Sequence, residues 1–133
     1  MASFILSTTA RNALANDSGL NELLANGSMK TYTSASPGPN NAASGTLLVT
    51  HTLPPAANNT PTGGVLALGA IANANGVANG TAGYCRFLTS ANATIADGDC
   101  GTSGNTVVFD NTSIATNQVV SVTAANFTVP AGT

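Results

Sequence analysis

Residues 82–100 read AGYCRFLTSANATIADGDC, and this segment indicates the fold most clearly, because two β-prone runs flank a short polar turn. We predict an antiparallel hairpin whose turn falls around residues 90–95. The predicted register pairs three residues of the first strand with three of the second: Cys85 with Cys100, Arg86 with Asp99, and Phe87 with Gly98. It joins opposite charges and sets an aromatic ring over a glycine, and both arrangements are favoured across strands.

This register brings the chain's two cysteines to opposite positions, where a cross-strand disulfide is geometrically allowed. The cytoplasm keeps thiols reduced, whereas a particle released from a cell meets oxidising conditions. The sequence therefore leaves two alternatives open: a Cys85–Cys100 disulfide, or two free thiols that pack as small hydrophobic residues. It also predicts that Arg86 and Asp99 form a surface ion pair worth less than about 1 kcal/mol.

On both sides of the hairpin, short β-prone segments alternate with turns rich in Gly, Pro and Asn. The predicted strands are residues 29–33, 45–53, 65–71, 82–89, 94–100, 106–110 and 118–129. Many short strands with frequent turns indicate a mainly β protein, either a β-sandwich or a jelly-roll-like barrel with one N-terminal α-helix.

One helix is predicted from about residue 8 to residue 25, ahead of the strands. Its apolar residues recur at helical spacing: Ala10, Ala13, Leu14, Leu20 and Leu24. The chain has the size of one domain. We therefore predict a single domain over residues 1–133, with an N-terminal arm and helix over 1–27 and a β domain over 28–133.

Formal charge is scarce: 6 % of the 133 residues are charged, and the net charge is −2. Ordinary soluble domains carry about 25 %. The charged residues are Arg11, Asp17, Glu22, Lys30, Arg86, Asp97, Asp99 and Asp110. A mean hydropathy of +0.20 argues against a disordered chain. A surface this neutral is typical of a protein that packs against other proteins.

The composition argues against several kinds of partner and cofactor. No basic stripe is present to neutralise phosphates, so we expect no nucleic-acid binding. No apolar run approaches the roughly 20 residues that span a bilayer, and the N-terminus does not read as a signal peptide, so we expect synthesis in the cytoplasm and no membrane partner. The Asp97-Gly98-Asp99 motif resembles the start of a calcium loop but lacks the closing glutamate. We expect no metal and no cofactor.

His51 is the chain's one histidine and lies within the predicted strand 45–53. Its neighbours in the alternating pattern, Leu47 and Val49, are apolar, which favours a partly buried histidine with its hydrogen bonds satisfied. The alternative is a catalytic base, but no Gly-x-Ser-x-Gly motif accompanies it. We predict no catalytic residue and expect that the protein is not an enzyme.

The order of elements resembles that of a family of small structural proteins of tailed bacteriophages. The motifs that carry the resemblance are SGTLL at 44–48, GTAG at 80–83 before a strand with Arg86, DNTSIATNQ at 110–118, and the VSVT strand that runs on to Pro130. Some proteins of this kind act as cement (decoration) proteins on the capsid shell. Relatives often carry other residues at the two cysteine positions, so the resemblance implies no crosslink.

The resemblance implies a β-rich virion protein on the capsid surface that forms homo-oligomers, dimers or trimers, and stabilises the lattice of the major capsid protein. Phe4, Ile5 and Leu6 form an apolar N-terminal arm, which either adds as a strand to a neighbouring subunit or packs on its own core. Two other functions stay open: a tail or fibre component of the virion, and a secreted adhesin or sugar-binding β module.

Overall fold

A computed structural model describes residues 4–16 and 19–128. The chain is mainly β, which confirms the predicted fold class. The strands are β1 (Phe4–Leu6), β2 (Ser28–Tyr32), β3 (Leu47–Thr52), β4 (Thr60–Thr62), β5 (Val65–Ala67), β6 (Ala74–Asn75), β7 (Gly80–Thr81), β8 (Tyr84–Leu88), β9 (Thr94–Gly101), β10 (Val107–Phe109), β11 (Ser113–Ile114), β12 (Val119–Val120) and β13 (Val122–Thr128). The helices are α1 (Thr8–Asn16), α2 (Leu20–Leu24) and a short 3-10 helix at Ala56–Asn58.

Some sequence predictions fall partly outside the described residues. These are residues 1–3, residues 17 and 18 of the predicted helix, the side chains of residues 13–16, and the end of the chain from residue 129. Among the helices described, none is both long and apolar enough to cross a bilayer.

Most strands join one sheet in the order β3-β2-β8-β9-β10-β13-β5-β4, and β1 adds to β9 beside this path. The pairings are antiparallel except that of β9 with β10, which is parallel. Two small ribbons, β7 with β11 and β6 with β12, complete the described strands. Because β9 pairs with β8, β1 and β10, it forms the centre of the sheet.

The sheet curls around its apolar face. Phe87 on β8 packs edge-on against Phe127 on β13, with 4.7 Å between ring centroids, and Phe4 on β1 meets the same ring at 5.3 Å. Strands β8 and β13 are three steps apart in the sheet, which is roughly 14 Å in a flat one. Contact between their rings therefore requires a half-barrel, and this core is buried inside it.

The hairpin forms as predicted, but the predicted register was wrong by two residues. Arg86 lies opposite Asp97 rather than Asp99, and Cys85 lies opposite Gly98 rather than Cys100. The turn is shorter than predicted: Thr89 N–H donates to Ala93 O at 2.9 Å. Asn92 takes a left-handed conformation there (φ 66°), which asparagine tolerates better than most residues.

The predicted single helix over residues 8–25 was also wrong, because the structure contains two separate helices there. Gly19 has extended backbone (φ −80°, ψ 158°) immediately before α2, and such a residue cannot continue a helix. Leu20 and Leu24 are buried, so this part of the predicted apolar face does reach the core. Ser7 is the N-cap of α1, and its hydroxyl accepts a hydrogen bond from Ala10 N–H at 3.1 Å.

Candidate functional site

Arg86 and Asp97 form a buried ion pair where β8 and β9 lie side by side. Their side chains are 5 % and 1 % exposed. Arg86 donates twice to the carboxylate, from Nε to Oδ1 at 2.8 Å and from Nη2 to Oδ2 at 3.0 Å. These hydrogen bonds to Asp97 raise the pKa of Arg86 above its usual value. The prediction of an exposed Arg86–Asp99 pair was therefore wrong in both partner and environment.

The long connection between β2 and β3 crosses the sheet above this pair, and we name residues 33–46 the strap. Arg86 donates from Nη1 to Asn41 O at 2.8 Å and from Nη2 to Gly38 O at 2.9 Å. Ser36 donates its hydroxyl to Asp97 Oδ2 at 2.5 Å. Both charges of the ion pair thus hold the strap, and the strap in turn shields them from water.

One of two stacked tyrosines also binds the strap. Tyr32 and Tyr84 stack with 5.3 Å between ring centroids, and burial raises the pKa of Tyr32. The Tyr84 hydroxyl donates to Ser44 O and accepts from Ser44 N–H, both at 3.1 Å. Gly83 lets the strap approach closely, because a Cβ at that position would stand 1.8 Å from Ser34 O.

The Asp97-Gly98-Asp99 motif lies on strand β9 rather than in a loop. Asp97 is bound to Arg86 and Ser36, while Asp99 accepts hydrogen bonds from Asn105 Nδ2 at 2.8 Å and from Thr106 N–H at 3.1 Å. Within the described ranges, no group of three or more His, Cys, Asp or Glu side chains comes together as metal ligands. The Asp97 carboxylate thus binds β8 and the strap, and the Asp99 carboxylate binds the turn between β9 and β10.

Cys85 and Cys100 are free thiols in this structure, and the disulfide stays a prediction. Both face the core from neighbouring strands, with Cys100 two residues beyond the position opposite Cys85. Cys85 is fully buried and its sulfur lies 3.3 Å from the Thr31 hydroxyl. Cys100 is half-buried, and its pKa is lowered by interaction with Cys85.

His51 is more deeply buried than predicted, with none of its surface exposed. Its Nε2 lies 3.0 Å from Val120 O, so the neutral ring donates from that nitrogen. Its Nδ1 has no hydrogen-bond partner among the described residues, so the satisfied histidine stays a prediction for this atom. Burial lowers the pKa of His51. Phe109 packs against the ring at 6.2 Å between centroids.

Phe4, Ile5 and Leu6 form β1, which pairs with β9 of its own chain opposite Gly98, Asp97 and Ala96. This is the second of the two arrangements left open by the sequence, and exchange of the arm with a neighbouring subunit stays a prediction. Phe4 and Leu6 pack against the core, while Ile5 is 57 % exposed. A cleft of about 180 Å³ lies beside Ile5, between Ser36, Tyr84 and Asp99.

The exterior is even less charged than the composition suggests, because Arg86 and Asp97 are internal. Residues 31–85 contain no charged side chain, and neither do the residues after Asp110. Two exposed valines lie in this neutral part, Val77 at 60 % and Val119 at 56 % exposure. Val119 belongs to the β6–β12 ribbon, and Val77 N–H donates to Leu48 O on the neighbouring β3 at 2.7 Å.

A second concave region lies on another side of the molecule. It is an open groove of about 390 Å³ between the start of α2 and the β4–β5 hairpin. Its wall is mainly apolar and includes Leu20, Pro61, Val65 and Leu66. Among the described residues that line it, none is charged, so this part of the groove is as neutral as the rest of the exterior.

Sequence reasoning missed the strap and its attachment to the buried ion pair. Ser36, Gly38 and Asn41 belong to a segment that reads only as a Pro-rich loop. The available signal was the pair of oppositely charged residues inside β-prone runs, since buried charges require several polar partners. Comparisons with known proteins give no match: no family profile fits the sequence, and no curated protein and no solved structure is significantly similar to the chain.

Proposed function

We propose that this protein is a structural component of a bacteriophage virion, a cement protein that oligomerises on the capsid surface and stabilises the major capsid protein lattice. The observation that carries the proposal is the neutral exterior over residues 31–85 and beyond Asp110, with Val77 and Val119 more than half exposed. The motifs that resemble small phage head proteins supply the biological setting.

A neutral surface lowers the desolvation cost of attachment to a partner. Removing a charged side chain from water costs several kcal/mol per ion, whereas Asn, Thr and Ala surfaces join a partner without that cost. Exposed valines add favourable apolar burial of about 25 cal/mol per Å². Many identical weak contacts on one lattice then combine into firm attachment.

The first experiment counts copies per particle. We expect quantitative mass spectrometry of purified particles to find this protein at a number comparable with the major capsid protein, on the order of hundreds of copies, because avidity on a lattice requires repeated sites. A handful of copies per particle would instead identify a tail or fibre component. Complete absence from particles would contradict both virion roles.

The second experiment tests the neutral surface with a matched pair of variants. Val119→Lys places a charge among uncharged residues, and we expect it to weaken co-sedimentation with capsids that lack the protein by at least about tenfold. Asn12→Lys adds the same charge beside Arg11 on exposed α1, and we expect attachment to stay unchanged. Equal binding by both variants would show that the β6–β12 ribbon is not the contact surface.

A further inference from the structure

Cys85 and Cys100 differ from the polar groups of the core because their thiols can be oxidised to a disulfide. Cys85 on β8 is fully buried and Cys100 on β9 is half-buried. The residue directly opposite Cys85 is Gly98, and Cys100 lies two residues further along β9. The two thiols therefore lie on the same face of neighbouring strands, in diagonal positions.

The surroundings give the two sulfurs different chemistry. Burial raises the pKa of Cys85 well above its usual value, so Cys85 keeps its proton. Interaction with Cys85 lowers the pKa of Cys100, so Cys100 more readily becomes the thiolate. Only the thiolate attacks a disulfide, and attack also requires access. Cys100 meets both conditions, and Cys85 meets neither in the native fold.

We propose that Cys100 is the entry point for oxidation by a small disulfide such as oxidised glutathione, and that Cys85 then resolves the adduct into an intramolecular disulfide. Thr31 assists the second step, because its hydroxyl lies 3.3 Å from the Cys85 sulfur and can donate to the thiolate as it forms. This chemistry does not depend on the proposed function, since it involves the sulfur pair and Thr31 alone.

The reaction takes place in two exchanges. The Cys100 thiolate attacks one sulfur of glutathione disulfide, which breaks the glutathione S–S bond and expels one glutathione thiolate. Cys85 then attacks the Cys100 sulfur of the adduct while its proton passes to the departing glutathione sulfur, so the second glutathione leaves as the thiol. The two protein thiols are oxidised, and one glutathione disulfide is reduced to two molecules of glutathione.

Alkylation of the native, reduced wild-type protein tests the difference between the two thiols without any substitution. With limiting iodoacetamide, peptide mapping should show Cys100 modified at least about tenfold faster than Cys85, because reactivity follows thiolate character and exposure. Faster labelling of Cys85, or equal rates for both, would overturn the assignment of Cys100 as the entry thiol.

Oxidation tests the resolving role of Cys85. With glutathione disulfide, the wild-type protein should end as a monomer that has lost two hydrogens and carries no glutathione. Cys85→Ala should stop at one glutathione on Cys100, whereas Cys100→Ala should stay unmodified while folded. Thr31→Val should form the same final product more slowly. A wild-type protein that keeps glutathione, stays fully reduced or crosslinks into dimers would refute the proposal.

Discussion

Two buried polar sites, one on each face of the sheet, differ in how completely their polar atoms are paired. Under the strap, Arg86 and Asp97 are both charged, and their polar atoms bind each other, Ser36 and two strap carbonyls. On the core face, His51 is equally buried but has one ring nitrogen without a described partner. An unpaired buried charge costs far more than an unpaired neutral atom, so complete pairing is required only where the charges lie.

The largest expected effect comes from breaking the ion pair. Asp97→Asn leaves the Arg86 guanidinium buried without a counter-charge, and we expect the free energy of unfolding to fall by about 3–5 kcal/mol. Urea denaturation followed by circular dichroism measures this loss. Asp110→Asn removes the same charge from an exposed position and should change stability by less than about 0.5 kcal/mol. A loss below about 1 kcal/mol for Asp97→Asn would mean that the pair does not hold the strap.

A smaller effect is expected from pH at His51, where the neutral ring is required. Its pKa is lowered in the folded state from the usual 6.5, so the unfolded chain takes up a proton first as pH falls. The stabilisation is complete above about pH 6.5 and declines as pH falls below it, toward the folded pKa. Urea denaturation at a series of pH values between 7 and 5 measures the decline.

His51→Gln is the matched variant for this pH effect. Glutamine does not titrate, and its amide can donate to Val120 O in place of Nε2. We expect the variant's stability to vary less with pH than the wild type's between pH 7 and 5. Identical slopes for the two proteins would show that His51 does not cause the pH dependence.

We expect the hydroxyl groups of Tyr84 and Tyr32 to differ in how much they contribute to stability. Tyr84→Phe removes the hydroxyl that binds Ser44, and we expect a loss of about 1 kcal/mol, the usual value for one hydrogen-bonding group. Tyr32→Phe retains the stacked rings and removes a hydroxyl that makes no hydrogen bond to the described part of the chain, so its effect should be smaller. Thermal denaturation of the two variants ranks them, and the reverse order would contradict the role given to Tyr84.

The sequence predicted the faces of the strands better than their partners. A shift of two residues preserves the face that each side chain occupies, because side chains alternate with a period of two. Cys85 and Cys100 therefore share a face as expected, although they are not opposite each other. The register depends on the tight turn that contains Asn92, and alternation alone does not locate it.

Other errors come from contacts that the local sequence pattern does not show. Charge pairing could not choose between Asp97 and Asp99, because either residue places a carboxylate on the face that carries Arg86. The choice follows from the turn and from the strap, whose carbonyls and Ser36 occupy the remaining polar atoms of the pair. Contacts between segments so distant in sequence leave no periodic signal. Glycine lowers helix propensity at position 19, but propensity alone does not end a helix; the break also places Leu20 and Leu24 of α2 in the core.

The docking site of the strap is built from two strands. Arg86 and Asp97 lie on different strands, so their paired side chains form one platform only after β8 and β9 have joined. We therefore expect the strap to dock after the transition state of folding. Loss of one strap contact should then raise the unfolding rate and leave the folding rate unchanged. In stopped-flow mixing, Ser36→Ala should speed unfolding and leave the refolding rate unchanged. Slower refolding would place the strap in the folding nucleus.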